Sequence, residues 1–159
     1  MKVLDASGIL RSDLNFTDDI YCIPNSVMLE IHDDTTKSLI DLAIRRGNIK
    51  IINPGKKSLK MAIKAAEMTG DIATLSDSDL DILALAIEKN LKIVSDDYAL
   101  QNTASYVGLE YEASVHDPIK REIIWQSVCS GCGMEYGTGF KAPCRICGSR
   151  VLRKPKRYI

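Results

Sequence analysis

No run of this 159-residue chain approaches the ~20 apolar residues that a membrane span needs. Its first residues, Met1-Lys2-Val3-Leu4-Asp5, lack the long apolar run and small-residue cleavage site of a signal peptide. A cytoplasmic protein with no membrane partner is therefore expected. Net charge is missing too, since 21 Lys and Arg balance 21 Asp and Glu. There is no internal repeat and no low-complexity tract. Neither GxxxxGK[S/T] nor GxGxxG occurs, so nucleotide binding through those loops is unsupported. Histidine is scarce: His32 and His116 form no HxxxH and sit in no nucleophile turn, so both read as structural or surface residues. What is present is ordinary globular composition, 45% apolar and 26% charged, which excludes a disordered or collagen-like chain. The length suits one domain plus a small module.

The zero net charge conceals an asymmetry. Residues 1–119 carry 12 basic and 19 acidic side chains, a net of −7, whereas residues 120–159 carry 9 and 2, a net of +7. A basic piece attracts polyanions, nucleic acid first among them. An acidic body repels them unless its carboxylates hold cations.

The cysteines sharpen the boundary. Cys129, Cys132, Cys144 and Cys147 form two CxxC pairs, each followed by Gly (Gly133 and Gly148). Such a turn aims two thiolates at one point, and the glycine permits the backbone conformation that follows. Two facing turns supply four soft ligands in a tetrahedron, which suits structural Zn²⁺. Two disulfides or an iron site are the alternatives. Cys22, alone in the apolar stretch 20–23, reads as a buried thiol. A module of about 35 residues builds little core, so the metal must supply much of its folding energy. Residues 134–140 look like a hairpin with a Gly turn, completing a zinc ribbon. Lys141, Arg145, Arg150, Arg153, Lys154, Lys156 and Arg157 surround it, interleaved with Tyr136, Phe140 and Tyr158. Cations for phosphates plus aromatics for bases make an RNA surface; a protein-docking ribbon is the plainer reading.

Residues 1–112 alternate strand and helix patterns. Strands are expected at 2–5, 49–52, 92–95 and 109–111, and helices at 26–31, 36–46, 58–69, 79–89 and 98–106. That alternation implies an α/β fold with a mostly parallel sheet flanked by helices. The expected organisation is an α/β domain over 1–112, a linker over 113–123 with His116-Asp117-Pro118, and the ribbon with its basic tail over 124–159.

Open α/β sheets bind ligands beyond the carboxyl ends of their strands. Asp5 ends the first strand, and Asp96 and Asp97 follow the strand 92–95. Glu30 lies beside apolar Val27 and Ile31 on a helix, and Asp79 sits in a helix's first turn, where the dipole favours an anion. Converging carboxylates cannot all stay ionised unless cations join them. Mg²⁺ or Mn²⁺ is the natural occupant, and such ions activate water and brace a scissile phosphate. Each acid also has a plainer role. Ser76 with Asp79, or Ser78 with Asp81, fits a capping box. Asp5 could cap the turn into Ser7-Gly8, Asp96-Asp97 could open a helix, and Glu30 could face solvent.

The run Val3-Leu4-Asp5-Ala6-Ser7, then Val27-Met28-Leu29-Glu30, then Leu75-Ser76-Asp77-Ser78-Asp79 leading into Leu83-Ala84-Leu85-Ala86, then Ile93-Val94-Ser95-Asp96-Asp97-Tyr98, resembles a PIN-domain ribonuclease. With the four-cysteine ribbon it is similar to the archaeal form of the Nin-one-binding family, and the segment from Ser95 to Asn102 is the most specific part of the likeness. The resemblance spans essentially the whole chain. It implies a PIN-like fold and an endoribonuclease that matures the 3′ end of the small-subunit (16S-type) rRNA precursor in ribosome biogenesis. It implies action on the pre-ribosomal particle, beside assembly-factor partners, with the ribbon helping to grip rRNA. It carries the catalytic metal-binding role onto Asp5, Glu30 and Asp79, with Asp97 as the usual fourth acid and Asp96 assisting or facing away. It lets Ser7, Ser76 and Ser95 orient acids or waters. Two rivals remain: a non-catalytic rRNA-binding assembly factor with a vestigial acidic pocket, and a toxin-type PIN nuclease that cuts translating RNA.

Overall fold

Short β-branched and apolar runs can be strands only if both sheet faces are covered, and that is how they are used here. The computed structural model describes residues 1–11 and 19–159, apart from the side chains of Ser7, Leu10 and Arg11. Strands β1 (Lys2–Leu4), β2 (Tyr21–Ile23), β3 (Ile49–Ile51), β4 (Lys92–Val94) and β5 (Tyr111–Glu112) form one parallel sheet in the order β3-β2-β1-β4-β5. Val3, Leu4, Cys22, Ile23, Ile93 and Val94 are all buried. The stretch 20–23, read from the sequence only as apolar surroundings for a thiol, supplies β2. Cys22 is buried there as expected, and burial pushes its thiol pKa up.

Helices cover both faces: α1 (Ala6–Arg11), α2 (Asn25–Glu30), α3 (Asp34–Arg45), α4 (Lys56–Thr69), α5 (Asp77–Lys89) and α6 (Tyr98–Tyr106). The first was not expected from the sequence; it begins directly after β1, with Ile9 N–H donating to the Asp5 carbonyl at 3.2 Å. The most buried is α5, with Leu80, Ile82, Leu83, Ala84, Leu85 and Ala86 in the core against β1, β4, α2, α4 and α6. The Ser76–Asp79 capping box forms at its start, and Asn90 closes it in the left-handed conformation. Asp81 serves elsewhere, accepting from Ser26 Oγ at 2.7 Å. Among the described residues no helix is long and apolar enough to cross a membrane.

The strand order decides where a ligand can sit. The chain leaves β1 on one side through β2 and β3, then returns to β1's other side as β4 and β5. Loops after β1 and β4 therefore diverge, opening a crevice at the carboxyl edge between them. The register pairs Leu4 with Val94, so the residues that follow, Asp5 and Ser95, emerge side by side.

Residues 123–159 build a second, antiparallel sheet, one residue earlier than the expected start at 124. β6 (Ile123–Cys129) lies between β7 (Glu135–Tyr136) and β8 (Val151–Tyr158). The expected hairpin within 134–140 is only half made. Glu135–Tyr136 pairs back onto β6, and the stretch after Gly137 turns away toward the second cysteine pair instead of returning as a strand. A bulge at Ile124/Trp125 sets Trp125 opposite Pro155, which has no N–H to give a ladder. The apolar core lies wholly in the first sheet and its helices, between Val3 and Leu109.

The two sheets are docked by polar contacts from α6. Asn102 acts as a substitute backbone: its Nδ2 donates to Ile123 O and its Oδ1 accepts from Ile123 N–H, both at 2.7 Å. Its neighbour Gln101 donates to Ser95 O at 2.7 Å and accepts from Ile119 N–H at 2.9 Å. Buried Asp71 pairs with Arg153 of β8, whose guanidinium lies 4.0 Å over the Trp125 ring. The chain also passes close at Gly70, whose φ of 79° ends α4; a Cβ there would stand 2.8 Å from Trp125 Cβ.

Candidate nuclease site and metal centre

Asp5 leaves β1 at the crevice and is 5% exposed. Its Oδ2 accepts from Ser95 Oγ, at the end of β4, and its Oδ1 accepts from Gly8 N–H in the first turn of α1. Gly8 is needed for that turn, because a Cβ on it would stand 2.9 Å from Asp5 Oδ1 and 3.3 Å from Val94 O. Ser95 Oγ also accepts from Asp97 N–H at 3.0 Å, which ties Asp97 to the same strand end. Asp97 caps α6, its Oδ1 accepting from Ala99 N–H at 2.6 Å and Leu100 N–H at 3.0 Å. Both bonds use Oδ1, and no hydrogen bond takes Oδ2 among the described residues.

The other two acids are joined through serines. Glu30 ends α2, and its Oε1 accepts from Ser78 Oγ in the first turn of α5. Ser78 Oγ lies 2.8 Å from Ser76 Oγ, which donates to Asp79 Oδ2 at 2.7 Å. Burial pushes the Asp79 carboxyl up; its bonds to Ser76 oppose that, while the charges of Asp97 and Glu30 add to it. Asp79 therefore senses both neighbours across the crevice. Glu30, Asp79 and Asp97 each hold a hydroxyl or backbone donor with one oxygen and keep the other. The plainer capping roles of Asp79 and Asp97 are thus real and leave a ligand atom over.

Asp96 is placed differently. Its Oδ1 accepts from the backbone N–H groups of Ser114, Val115 and His116 at 2.9, 3.1 and 3.2 Å. Its Oδ1 anchors the segment after β5, and its Oδ2 is buried without a hydrogen-bond partner among the described residues. Successive residues after a strand point to opposite sides, which is why Asp97 and Asp96 part company. Ser7's side chain lies outside the described residues. Ser78 as the support of Glu30 had no signal in the sequence, because the partners are 48 positions apart. Asp71, Gln101 and Asn102 as docking residues were equally invisible.

The cysteines make a tighter group. All four Sγ atoms lie within 4.8 Å of one another, with Cys129–Cys147 at 3.4 Å and Cys132–Cys144 at 3.6 Å. Bonded sulfurs would stand at about 2.05 Å, so these are free thiols and not disulfides. A zinc–sulfur bond of about 2.3 Å gives tetrahedral S···S edges of about 3.8 Å, close to what is found. Donors already face the sulfurs. Gly131 N–H and Cys132 N–H point at Cys129 Sγ at 3.3 and 3.5 Å, and Ile146 N–H at Cys144 Sγ at 3.4 Å. The Tyr136 hydroxyl donates to Cys144 Sγ at 3.1 Å. With the backbone N–H groups of Cys147 and Ile146, it holds the Cys144 thiol down at about 5. Gly133 and Gly148 take φ of 75° and 73°, the conformation foreseen after each pair. The donor set therefore fits zinc, with outer hydrogen bonds already in place.

Three of the expected RNA-facing side chains have structural employment. Tyr136 and Phe140 stack on each other at 4.2 Å between ring centroids, with Arg145 over Phe140 at 5.5 Å. Arg153 is committed to Asp71 and Trp125. Lys141, Arg150, Lys154, Lys156 and Arg157 lie exposed along the ribbon and its last strand, as does Arg145.

The 3-2-1-4-5 parallel sheet flanked by helices is that of a nuclease of the PIN class, and the family described as the PIN domain of ribonuclease matches residues 3–88. The chain is 32% identical to Endoribonuclease Nob1 of Methanothermobacter thermautotrophicus, over 98% of this chain and 94% of that protein. It is 35% identical to Ribonuclease VapC1 of Thermoplasma acidophilum, over 95% of this chain and 76% of that protein. It is 29% identical to the 20S-pre-rRNA D-site endonuclease NOB1 of Saccharomyces cerevisiae, over 62% of this chain and 22% of that much longer protein. The chain belongs to the Nob1 family of PIN-domain endoribonucleases.

Proposed function

We propose that this protein is the endoribonuclease that cuts the 3′ end of the small-subunit (16S-type) rRNA precursor, acting in the cytoplasm on the pre-ribosomal particle. One observation carries the reading: the domain that bears the acids and the basic cysteine ribbon are docked on one another through Asn102–Ile123 and Asp71–Arg153. The printed name of the yeast relative, a pre-rRNA endonuclease, supports the substrate.

Asp5, Glu30, Asp79 and Asp97 are the residues that hold Mg²⁺ or Mn²⁺. Bound there, the cation supplies a water of lowered pKa and neutralises charge on the phosphate. Ser95, Ser76 and Ser78 fix the carboxylates through hydrogen bonds, so that the second oxygens of Glu30, Asp79 and Asp97 need not reorganise, while both Asp5 oxygens hold a donor. Asp96 secures the segment leading to the ribbon through its Oδ1. The functional division is 1–112 for the nuclease, 113–123 for the connection and 124–159 for the ribbon, where Cys129, Cys132, Cys144 and Cys147 hold zinc. The exposed cations Lys141, Arg145, Arg150, Lys154, Lys156 and Arg157 grip the RNA backbone, and Arg153 secures their strand.

The test incubates precursor rRNA with the zinc-loaded protein and Mn²⁺. Wild type should leave 5′-phosphate and 3′-hydroxyl ends at one position, and Asp5→Asn should not cut. Equal cutting by the two proteins removes Asp5 from the site. The rival is a toxin-type nuclease of translating RNA; growth arrest with general RNA loss on expression would replace the rRNA reading with that one.

A further inference from the structure

A cleft of about 630 Å³ lies where the first turn of α6 meets residues 117–121 and the strands β6 and β8. Tyr98, Trp125 and Tyr158 line it with Lys120, Arg121 and Arg153. Tyr98 is 55% exposed and Tyr158 58% exposed, large rings that the protein leaves in water. Arg153 already lies on Trp125 and pairs with Asp71, so that charge is neutralised within the fold. Lys120 and Arg121 carry no ion pair among the described residues, and both are exposed. Asp117 adds one negative charge to the same cleft.

Solvated tyrosine rings beside unpaired cations suit a flat, aromatic ligand carrying negative charge. An unpaired nucleotide of an RNA strand has that chemistry: every base offers a π face, and each step along the strand brings a phosphate. The position agrees. Tyr98 directly follows Asp97, and consecutive Cα atoms stand about 3.8 Å apart. Ala99, whose N–H is held by the Asp97 carboxylate, also lines the cleft. The helix turn that presents one metal-binding acid thus presents the cleft on its next residues. A strand with a phosphate at the acids would bring a neighbouring base here.

We infer that this cleft is a subsite for one unpaired nucleobase beside the cut, stacked on Tyr98 and Tyr158, with Lys120 and Arg121 on its phosphates. It rests on the endoribonuclease reading and adds which part of the chain holds the strand next to the scissile bond.

The probe is a set of short single-stranded RNAs spanning the cut, each with 2-aminopurine at a different position. They are bound to the full, zinc-loaded protein with Ca²⁺ in place of Mn²⁺. One position should lose fluorescence on binding. Tyr98→Leu and Tyr158→Leu should each abolish that quench and weaken binding about tenfold, whereas Tyr98→Phe and Tyr158→Phe should keep both, because stacking needs the ring and not the hydroxyl. Replacing Lys120 and Arg121 together by Gln should flatten the salt dependence of log K by about 1.4, two phosphates at about 0.7 each. Circular dichroism and zinc content matching wild type show that a variant is folded. If the RNA is bound, and cut with Mn²⁺, but the quench and affinity survive both Leu variants, the subsite is overturned while the nuclease reading stands. The cleft then belongs to a protein partner. An unchanged salt slope overturns the phosphate contacts. RNA that neither binds nor is cut overturns both readings.

Discussion

Arg153→Ala and Asp71→Ala remove opposite halves of one ion pair, and their costs should differ. The Asp71 side chain is 1% exposed and that of Arg153 34%. Removing the arginine strands a carboxylate inside the protein, supported only by Asn102 Nδ2 at 2.6 Å and Thr103 Oγ1 at a long 3.4 Å. Breaking a buried pair from one side costs about 3–5 kcal/mol. With two donors left, the low end applies, and loss of the Trp125 stacking adds about 0.5–1 kcal/mol. The sum is about 3–4 kcal/mol against ribbon docking. Removing Asp71 leaves Arg153 stacked on Trp125 and able to turn toward water. Asn102 keeps one Nδ2–H on Ile123 O and loses the acceptor of the other, and Thr103 keeps Ala99 O at 3.0 Å, so one neutral donor is left unpaired in place of a buried charge. That change should cost about 1–2 kcal/mol. The difference of about 2 kcal/mol corresponds to roughly 30-fold in the docking equilibrium.

The assay is built into the chain. Trp125 is the single tryptophan and lies under Arg153, so its fluorescence reports docking. Helices occur only in the first 106 residues among those described, so far-UV circular dichroism reports the nuclease domain. In thermal unfolding, Arg153→Ala should lower the fluorescence midpoint more than Asp71→Ala does. Both should lower it more than the dichroism midpoint. Equal losses, or a larger one for Asp71→Ala, would refute the argument from unequal burial.

Gly8→Ala should push the Asp5 carboxylate off its seat and abolish cutting while RNA binding persists; retained activity would show that α1 gives way instead. Chelating the zinc should shift Trp125 fluorescence and weaken RNA affinity while the helical dichroism survives, since the apolar core lies outside the ribbon. Joint collapse of both signals would show one cooperative unit. Burial raises the Asp79 carboxyl above its ordinary 3.8, so the folded state holds a proton that the unfolded chain has released. Without divalent metal, Asp79 therefore subtracts stability as pH rises from that ordinary value through the raised one. Stabilisation by Mn²⁺ should grow over the same interval, and midpoints with and without Mn²⁺ from about pH 4 to about pH 7 would show it. A gain flat with pH would remove Asp79 from the metal site. Ser78→Ala should release Glu30 and raise the Mn²⁺ concentration needed for half-maximal cutting several-fold, with little change at saturating metal; an unchanged requirement would show that Ser78 only supports the helix start.

Local chemistry was legible in the chain. The two CxxC-Gly turns dictate their own ligand geometry, because metal spacing and the positive φ of Gly133 and Gly148 are properties of five or six adjacent residues. The Ser76–Asp79 box, the stop at Gly70 and the acids at strand ends were readable for the same reason. Periodicity gave most helices and four of the five parallel strands. It missed β2, where three consecutive buried residues show no alternation, and α1, which is six residues long and has no acidic residue in its first turn.

Only the tertiary structure shows what each of Asp96 and Asp97 holds: the backbone of residues 114–116 takes Oδ1 of the first, and the first turn of α6 takes Oδ1 of the second. It alone joined Glu30 to Ser78 and Asp71 to Arg153, pairs 48 and 82 positions apart. A covalent neighbourhood fixes turns, caps and knuckles because the interacting atoms are near before folding begins. Contacts between distant segments are set by sheet order and by which buried polar groups must find partners, and nothing local encodes those.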